Sequence, residues 1–193
     1  RRHSSAASDV YKRQMLELAK KYNARILFAS SSEIYGNPKV HPQVESYYGH
    51  VNPINDRSCY VEGKRLSESL CLDYYRAYKT DIRIVRIFNT YGPRMQPKDG
   101  RVISNFISQA INEKPLYING SGKQTRSFCY VEDLIKGLNK IMNSNYTLPI
   151  NLGSQEELSI IDLANLIKTK INSKIEIIHM EEFNDEPINR KPD

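Results

Sequence analysis

Two short apolar runs decide the fold: Arg25-Ile26-Leu27-Phe28-Ala29-Ser30 and Ile82-Arg83-Ile84-Val85-Arg86-Ile87-Phe88. Each ends in a polar stop, Ser30-Ser31-Ser32-Glu33 after the first and Asn89-Thr90-Tyr91-Gly92 after the second. Buried parallel strands read this way, as near-continuous apolar runs rather than as an alternation. Between them Leu66, Leu70, Tyr74 and Tyr78 recur every four residues, which predicts a helix over 58–79. Parallel strands cannot be joined by a hairpin, so strand, helix, strand reads as a βαβ unit. The fold class is α/β, with a doubly wound parallel sheet. Ligands of such sheets sit beyond the carboxyl ends of the strands, so the two polar stops are the place to look for a site.

Working outward, Met15-Leu16, Leu18, Ala19 and Tyr22 predict the end of a helix. Residues 1–14 are polar, rich in Ser, Ala and Arg, and show no period. They read as a tail outside the fold, disordered or foreign to it. Gly36, Pro38, Pro42, Gly49 and Pro53 make 35–56 mostly loop. After Pro93 the pattern becomes α+β. Helices are expected near 102–113 and 131–143, strands near 115–118 and 148–152, a helix over 160–171 capped by Ser159, and a last strand near 175–179. Three parts follow: 1–14, 15–92 and 93–193.

Composition narrows the class. The chain has 193 residues, 39% hydrophobic and 26% charged, which suits a globular protein. It has no apolar run of about 18 residues of the kind that spans a membrane. The net charge is +6, and Arg1, Arg2, Lys12 and Arg13 against Asp9 supply half of it. No basic stripe with interleaved aromatics marks a nucleic-acid surface. The three cysteines are widely spaced without a CxxC, so no zinc site is expected and a reducing, cytoplasmic setting is.

The chemistry centres on Tyr60-Val61-Glu62-Gly63-Lys64. Residues four apart share a helix face, so a phenol and an ammonium are neighbours. A positive charge favours phenolate, and a Tyr so placed can take a proton from a sugar hydroxyl. Alone, the same spacing also describes an ordinary surface pair. Ser31, Ser32 and Glu33 equally suit a polar strand end.

Taken in order, the motifs are more specific. Ser30-Ser31-Ser32-Glu33-Ile34-Tyr35-Gly36, then Tyr60-xxx-Lys64, then Arg86-Ile87-Phe88-Asn89-Thr90-Tyr91-Gly92-Pro93-Arg94 resembles the extended short-chain dehydrogenase/reductases that act on nucleotide sugars. His50-Val51-Asn52-Pro53-Ile54, Asp99-Gly100-Arg101-Val102-Ile103-Ser104-Asn105-Phe106, Gly120-Ser121-Gly122-Lys123-Gln124-Thr125-Arg126, Asn143-Ser144-Asn145 and Arg190-Lys191-Pro192-Asp193 narrow the likeness to UDP-glucuronate decarboxylases, the UDP-xylose synthases. It runs nearly collinearly over about 15–193.

The resemblance implies a Rossmann-type NAD-binding sheet, present here as its C-terminal half over 15–92, with a mainly substrate-binding unit over 93–193. It implies NAD as cofactor, UDP-glucuronate as substrate, no metal, and a homodimer built by packing helices, the Tyr60 helix among them with Leu66, Leu70 and Tyr74. The catalytic residues would be Tyr60 as base, Lys64, Ser31, Ser32, Glu33 and Arg190, the last for the substrate carboxylate. Ser30, Tyr60, Lys64 and Thr90 would meet the cofactor, and Asn89, Arg101, Arg126 and Tyr130 the UDP-sugar. Arg suits a diphosphate because its fork meets two oxygens at once.

Two departures stand out. Val61 occupies a position where the family usually has Asp. The glycine-rich turn that binds the NAD pyrophosphate is not in this sequence, which leads us to expect weak NAD binding and an N-terminally truncated chain with little turnover. A related 4-epimerase, a 4,6-dehydratase, or a non-catalytic remnant that binds a partner are the alternatives. A Golgi setting is the alternative to the cytoplasm.

Overall fold

The computed structural model describes residues 4–55, 58–97, 99–181 and 189–193. Helix α1 (Ser4–Tyr22) leads into strand β1 (Ile26–Ser31), one 3-10 turn (Ser32–Tyr35), helix α2 (Ser58–Tyr78) and strand β2 (Ile82–Ile87). β1 and β2 pair in parallel, from Ile26 opposite Ile82 to Ser31 opposite Ile87. After β3 (Thr90–Tyr91), α3 (Val102–Ile111), β4 (Leu116–Asn119), β5 (Thr125–Ser127), β6 (Cys129–Tyr130) and α4 (Val131–Met142), strand β7 (Pro149–Leu152) joins the free side of β2, again parallel. The order β1-β2-β7 puts β2 in the centre. A strand covered on both faces has no polar side, and Ile82, Arg83, Ile84, Val85 and Arg86 are all buried. Ile82 and Ile84 join Leu16, Phe28, Cys71 and Tyr74 in the core beneath α1 and α2. Burial there pushes the Cys71 thiol up to about 11, so it stays protonated and packs as a small apolar group.

The chain closes with β8 (Glu157–Ser159), α5 (Ile160–Ile171), β9 (Ile177–Met180) and β10 (Asn189–Arg190). Ser159 caps α5 as expected, its Oγ accepting from the Asp162 N–H at 3.1 Å. A second core gathers Ile103 and Phe106 of α3, Leu116 and Ile118 of β4, and Leu163 and Ile167 of α5. β5 lies between β8 and β10 in a separate three-stranded sheet.

A charge inside a central strand needs partners, and Arg83, 1% exposed, has them. Its Nη1 donates to Asp81 Oδ1 at 2.6 Å, and its Nε donates to the Ser144 carbonyl at 2.8 Å. Arg25 mirrors it, donating to Asp81 Oδ2 and to the Met142 carbonyl, both at 2.6 Å. Two guanidiniums thus satisfy carbonyls at the C-terminal end of α4, where the helix dipole favours cations. Burial pulls the Asp81 carboxyl upward, but the two arginines outweigh it and hold it below its ordinary value.

Three sequence expectations are corrected. The first helix starts at Ser4 rather than near Met15, so the expected tail is helical from Ser4 onward; residues 1–3 lie outside the described residues. Hydrophobic period reports burial, and from Val10 onward the first buried residue of α1 is Leu16; Val10 and Tyr11 are exposed. The α2 face is also different. Steps of four drift by about 40° each on a 3.6-residue helix, so Leu66 and Tyr78 are exposed while Tyr74 is buried and Leu70 packs against the same core. Leu70 and Tyr74 are therefore not free to pair subunits. Lastly, α4 and β7 return to the first sheet after Pro93, so the boundary at 92/93 is crossed twice.

Asp81 has a depressed carboxyl pKa, so its contribution is present above the ordinary carboxylate value of about 4 and is lost as pH falls through the lower folded value. Thermal melts of the wild type and of Asp81→Asn should differ most at pH 6–7, with the wild type the more stable, and should converge as the pH falls through the lowered folded value. A gap that stays constant through that fall would contradict the assignment.

Candidate active site

The candidate residues gather at the carboxyl ends of β1 and β2. The Ser31 Oγ accepts from the Glu33 N–H at 3.2 Å and starts the 3-10 turn. Ser32 is buried within it. The turn ends at Gly36, with φ +64°, where a Cβ would stand 2.1 Å from the His50 carbonyl oxygen. Only glycine permits that approach, and it folds the loop back so that His50 N–H donates to the Tyr35 carbonyl at 2.9 Å.

α2 then lays Lys64 against the end of β1. Its Nζ donates to the Ala29 carbonyl at 2.8 Å and stands 5.6 Å from the Tyr60 ring centroid. Burial lowers the Lys64 pKa from its ordinary value. Tyr60, one turn earlier, is 45% exposed and so open to a ligand. Val61 is buried, turned away from Tyr60 as its position on the helix requires.

Ser30 lies deeper. Its side chain is buried, and its Oγ donates to Glu68 Oε1 at 2.5 Å, so a cofactor would meet the Ser30 backbone rather than its hydroxyl. Glu68, one turn beyond Lys64, forms an ion pair with Arg86 of β2 at 2.9 Å. Arg86 Nη1 donates to the Tyr35 hydroxyl at 2.9 Å, and that hydroxyl donates to Asn151 Oδ1 at 2.8 Å. Burial raises the Tyr35 pKa, partly offset by Arg86, and keeps it a neutral donor.

Beyond β2, β3 pairs with β6, with Thr90 opposite Cys129 and Tyr91 opposite Tyr130. The Asn89 carbonyl accepts from Cys129 N–H at 2.8 Å, and Thr90 Oγ1 donates to the Phe88 carbonyl at 3.0 Å. The Tyr91 and Tyr130 rings meet at 5.6 Å. Arg126 is buried in β5 and sits opposite Arg190 in β10. Arg190 Nη1 lies 3.9 Å from Glu33 Oε1, which joins the far end of the chain to the turn after β1. Arg101 is different: its side chain is 63% exposed and pairs with Asp99 at 2.7 Å. Among the described residues no group of His, Cys, Asp and Glu could hold a metal.

Sequence reasoning missed Glu68, Arg86, Tyr35, Asn151 and Gln43. Two of them had a signal. Glu68 follows Lys64 by four on one helix face, and Arg86 is a charge in an otherwise apolar strand.

Residues 8–153 match the model of the NAD dependent epimerase/dehydratase family. The chain belongs to that family. Among its relatives, UDP-glucuronic acid decarboxylase 3 of Arabidopsis thaliana is 55% identical over 179 residues, 93% of this chain and 52% of that protein. The chain thus spans about half of that relative's length. Among solved structures, the UDP-glucose 4-epimerase of Thermotoga maritima with UDP-glucose superposes with a TM-score of 0.91 at 22% identity, over 99% of this chain and 62% of the other. The UDP-glucuronic acid 4-epimerase of Bacillus cereus, in complex with UDP-glucuronic acid and NAD, gives 0.81 at 27% identity over 96% and 58%. The epimerase/dehydratase fold is therefore present, with β1, β2 and β7 as its parallel strands.

Glu68→Ala would strand a buried guanidinium and should lower unfolding free energy by about 3–5 kcal/mol. The double variant Glu68→Leu with Arg86→Met should recover most of that loss. Urea denaturation of the three proteins checks both, and a double variant no better than the single one would show that Arg86 is held by other groups.

Proposed function

We propose that this chain carries the catalytic centre of a UDP-glucuronate decarboxylase, which turns UDP-glucuronate into UDP-xylose and carbon dioxide. One observation carries this reading: Arg190, a fixed guanidinium, meets the Ser31-Ser32-Glu33 turn while Lys64 holds Tyr60's helix to the same strand end. That pairs a carboxylate binder with a proton acceptor. The likeness to decarboxylases at 55% identity supports it.

The residues fit the nicotinamide end of NAD. A desolvated ammonium anchored on a strand-end carbonyl, beside an exposed phenol and Thr90, offers donors to a ribose and a carboxamide. Bound there, NAD would accept hydride from the sugar C4 and later return it. Tyr60 takes the proton of the 4-hydroxyl, with the Lys64 charge close to its ring. Ser31 holds the same oxygen. As carbon dioxide leaves C5, negative charge gathers on that oxygen, and the Tyr60 and Ser31 hydroxyls stabilise it electrostatically. Arg190 orients the departing carboxylate, and Glu33, its present partner, stands ready to re-pair with it. Asn89, Arg126 and Tyr130 line the approach for the nucleotide diphosphate, where Arg126 supplies a buried fork. An epimerase would keep the carboxylate, so the two readings differ in one product.

Carboxyl-labelled UDP-glucuronate should release labelled carbon dioxide in the protein that carries this chain. Tyr60→Phe should slow that release by at least about 10²-fold while leaving UDP affinity unchanged. Retention of the label in a C4-inverted sugar would replace the decarboxylase by an epimerase.

The protein pairs with a second copy through α1. Tyr11, Met15, Leu18 and Tyr22 recur at helical spacing and are all exposed, and Leu66 of α2 is exposed too. Charging the stripe with Met15→Glu and Leu18→Glu should convert a dimer into a monomer in sedimentation velocity at micromolar concentration. A wild type already monomeric there would remove this part of the proposal.

A further inference from the structure

Gln43 is fully buried in the loop between the 3-10 turn and α2, and every polar group it has is in use. Its N–H donates to the Lys191 carbonyl at 2.8 Å, and its Oε1 accepts from the Lys191 N–H at 2.9 Å. Its carbonyl accepts from the Asp193 N–H at 3.0 Å and from Asn151 Nδ2 at 2.8 Å. Its Nε2 donates to the Val40 carbonyl at 2.9 Å. One residue thus grips both backbone groups of Lys191. On the opposite flank Arg190 pairs with Arg126 across β10 and β5, and its carbonyl accepts from the Ser127 hydroxyl at 3.4 Å. Residues 189–193 contain no helix and only a two-residue strand, so side-chain and bridge contacts place Arg190: those of Gln43, the Thr125 Oγ1 bond to Asn189 Oδ1 at 2.9 Å, and the Lys191–Glu157 ion pair at 3.9 Å.

We propose that Gln43 is a positioning residue: by clamping Lys191 it fixes the Arg190 guanidinium at Glu33 and so sets the site's preference for a carboxylated nucleotide sugar. The proposal rests on the reading of Arg190 as the carboxylate binder. Its physical basis is preorganisation. A guanidinium held before the ligand arrives loses little freedom on binding it, whereas one on a loose segment must be ordered at the moment of binding. Gln43 has no group aimed at the substrate; it acts only through Lys191 and Arg190. The same residue also ties this segment to Asn151, and through the Tyr35 hydroxyl to Arg86 and Glu68. The position of Arg190 is thereby referred to the helix that carries Tyr60 and Lys64.

Two readouts test it. The first needs no ligand. Trypsin cuts after Arg190, and the Gln43 clamp should protect that bond. Gln43→Met fills about the same volume and keeps the main-chain bonds, but loses the two side-chain bonds to the Lys191 N–H and the Val40 carbonyl, and should be cut about tenfold faster there than the wild type. The second readout compares UDP-glucuronate with UDP-glucose by calorimetric titration. The wild type should prefer UDP-glucuronate by about tenfold, the worth of one charge-assisted contact. Gln43→Met should lose that preference while its UDP-glucose affinity stays within about twofold. Arg190→Ala should lose it equally, and the double variant should lose no more, because the two act on one contact. If Gln43→Met retains both slow cleavage and preference, the proposal is wrong. It is equally wrong if UDP-glucose affinity falls in step with UDP-glucuronate affinity, because Gln43 would then merely hold the fold. If the wild type shows no preference but Gln43→Met is cut faster, the clamp stands and the decarboxylase reading falls.

Discussion

The ion pair between Arg86 and Glu68 is the constraint on which the site depends. It crosses from the central strand to the helix that carries Tyr60 and Lys64, and both partners are almost wholly enclosed. Taking two charges out of water is expensive, and attraction between them offsets the cost only when the remaining donors are also matched. Here they are. Arg86 Nε faces both Glu68 oxygens at 3.2 and 3.3 Å, Nη2 reaches Oε2, and Nη1 serves Tyr35 and the Glu45 carbonyl. Burial by itself would lower the Arg86 pKa, but Glu68 outweighs it and the charge is kept. Such a group has few alternative arrangements. The helix cannot slide along the sheet without breaking several charge-assisted bonds together, and that sets where Lys64 meets Ala29.

The sheet is clamped at both ends by arginines of one strand. Arg83 and Arg86 are three apart on β2, so they leave opposite faces. Arg83 works at the amino end, with Arg25 and Asp81, on carbonyls at and just beyond the end of α4. Arg86 works towards the carboxyl end, under the polar stops. Catalytic candidates occupy only the second end. The first end carries none of the candidate site residues and contributes charge-assisted anchors between sheet and helix. This division suits a family whose members act on different nucleotide sugars, because loops at one end can vary while the anchors at the other persist.

Much of this was legible in the residues themselves. Both runs around Ile26 and Ile82 became parallel strands, and Ser159 capped its helix as its type and place demanded. The Tyr60–Lys64 neighbourhood followed from helical spacing alone. What stayed hidden was set by tertiary contact. The start of α1 is polar and carries no hydrophobic period, so periodicity could not announce the helix there. The α2 stripe was misjudged because a four-residue count drifts around the helix. The two- and three-residue strands β3, β5, β6, β8 and β10 are too short to show a pattern. Gln43 gave no local sign at all, since its meaning lies in a partner at Lys191, far along the chain. Arg101 is the converse case: its motif is visible, yet in this structure it pairs with Asp99 on the surface.

The parallel register of β1, β2 and β7 has a kinetic consequence. Every pairing in that sheet joins segments separated by a complete helix or more, so no rung forms between close neighbours in sequence. Loop-closure entropy must be met before any of these contacts returns free energy. The helices α1 and α2 can flicker into existence early, but β2 stays without partners until distant chain arrives on both sides. Assembly of this sheet is therefore slow compared with that of a helical bundle of equal size. During that interval the apolar run from Ile82 to Ile87 is the segment most in need of shielding by a chaperone.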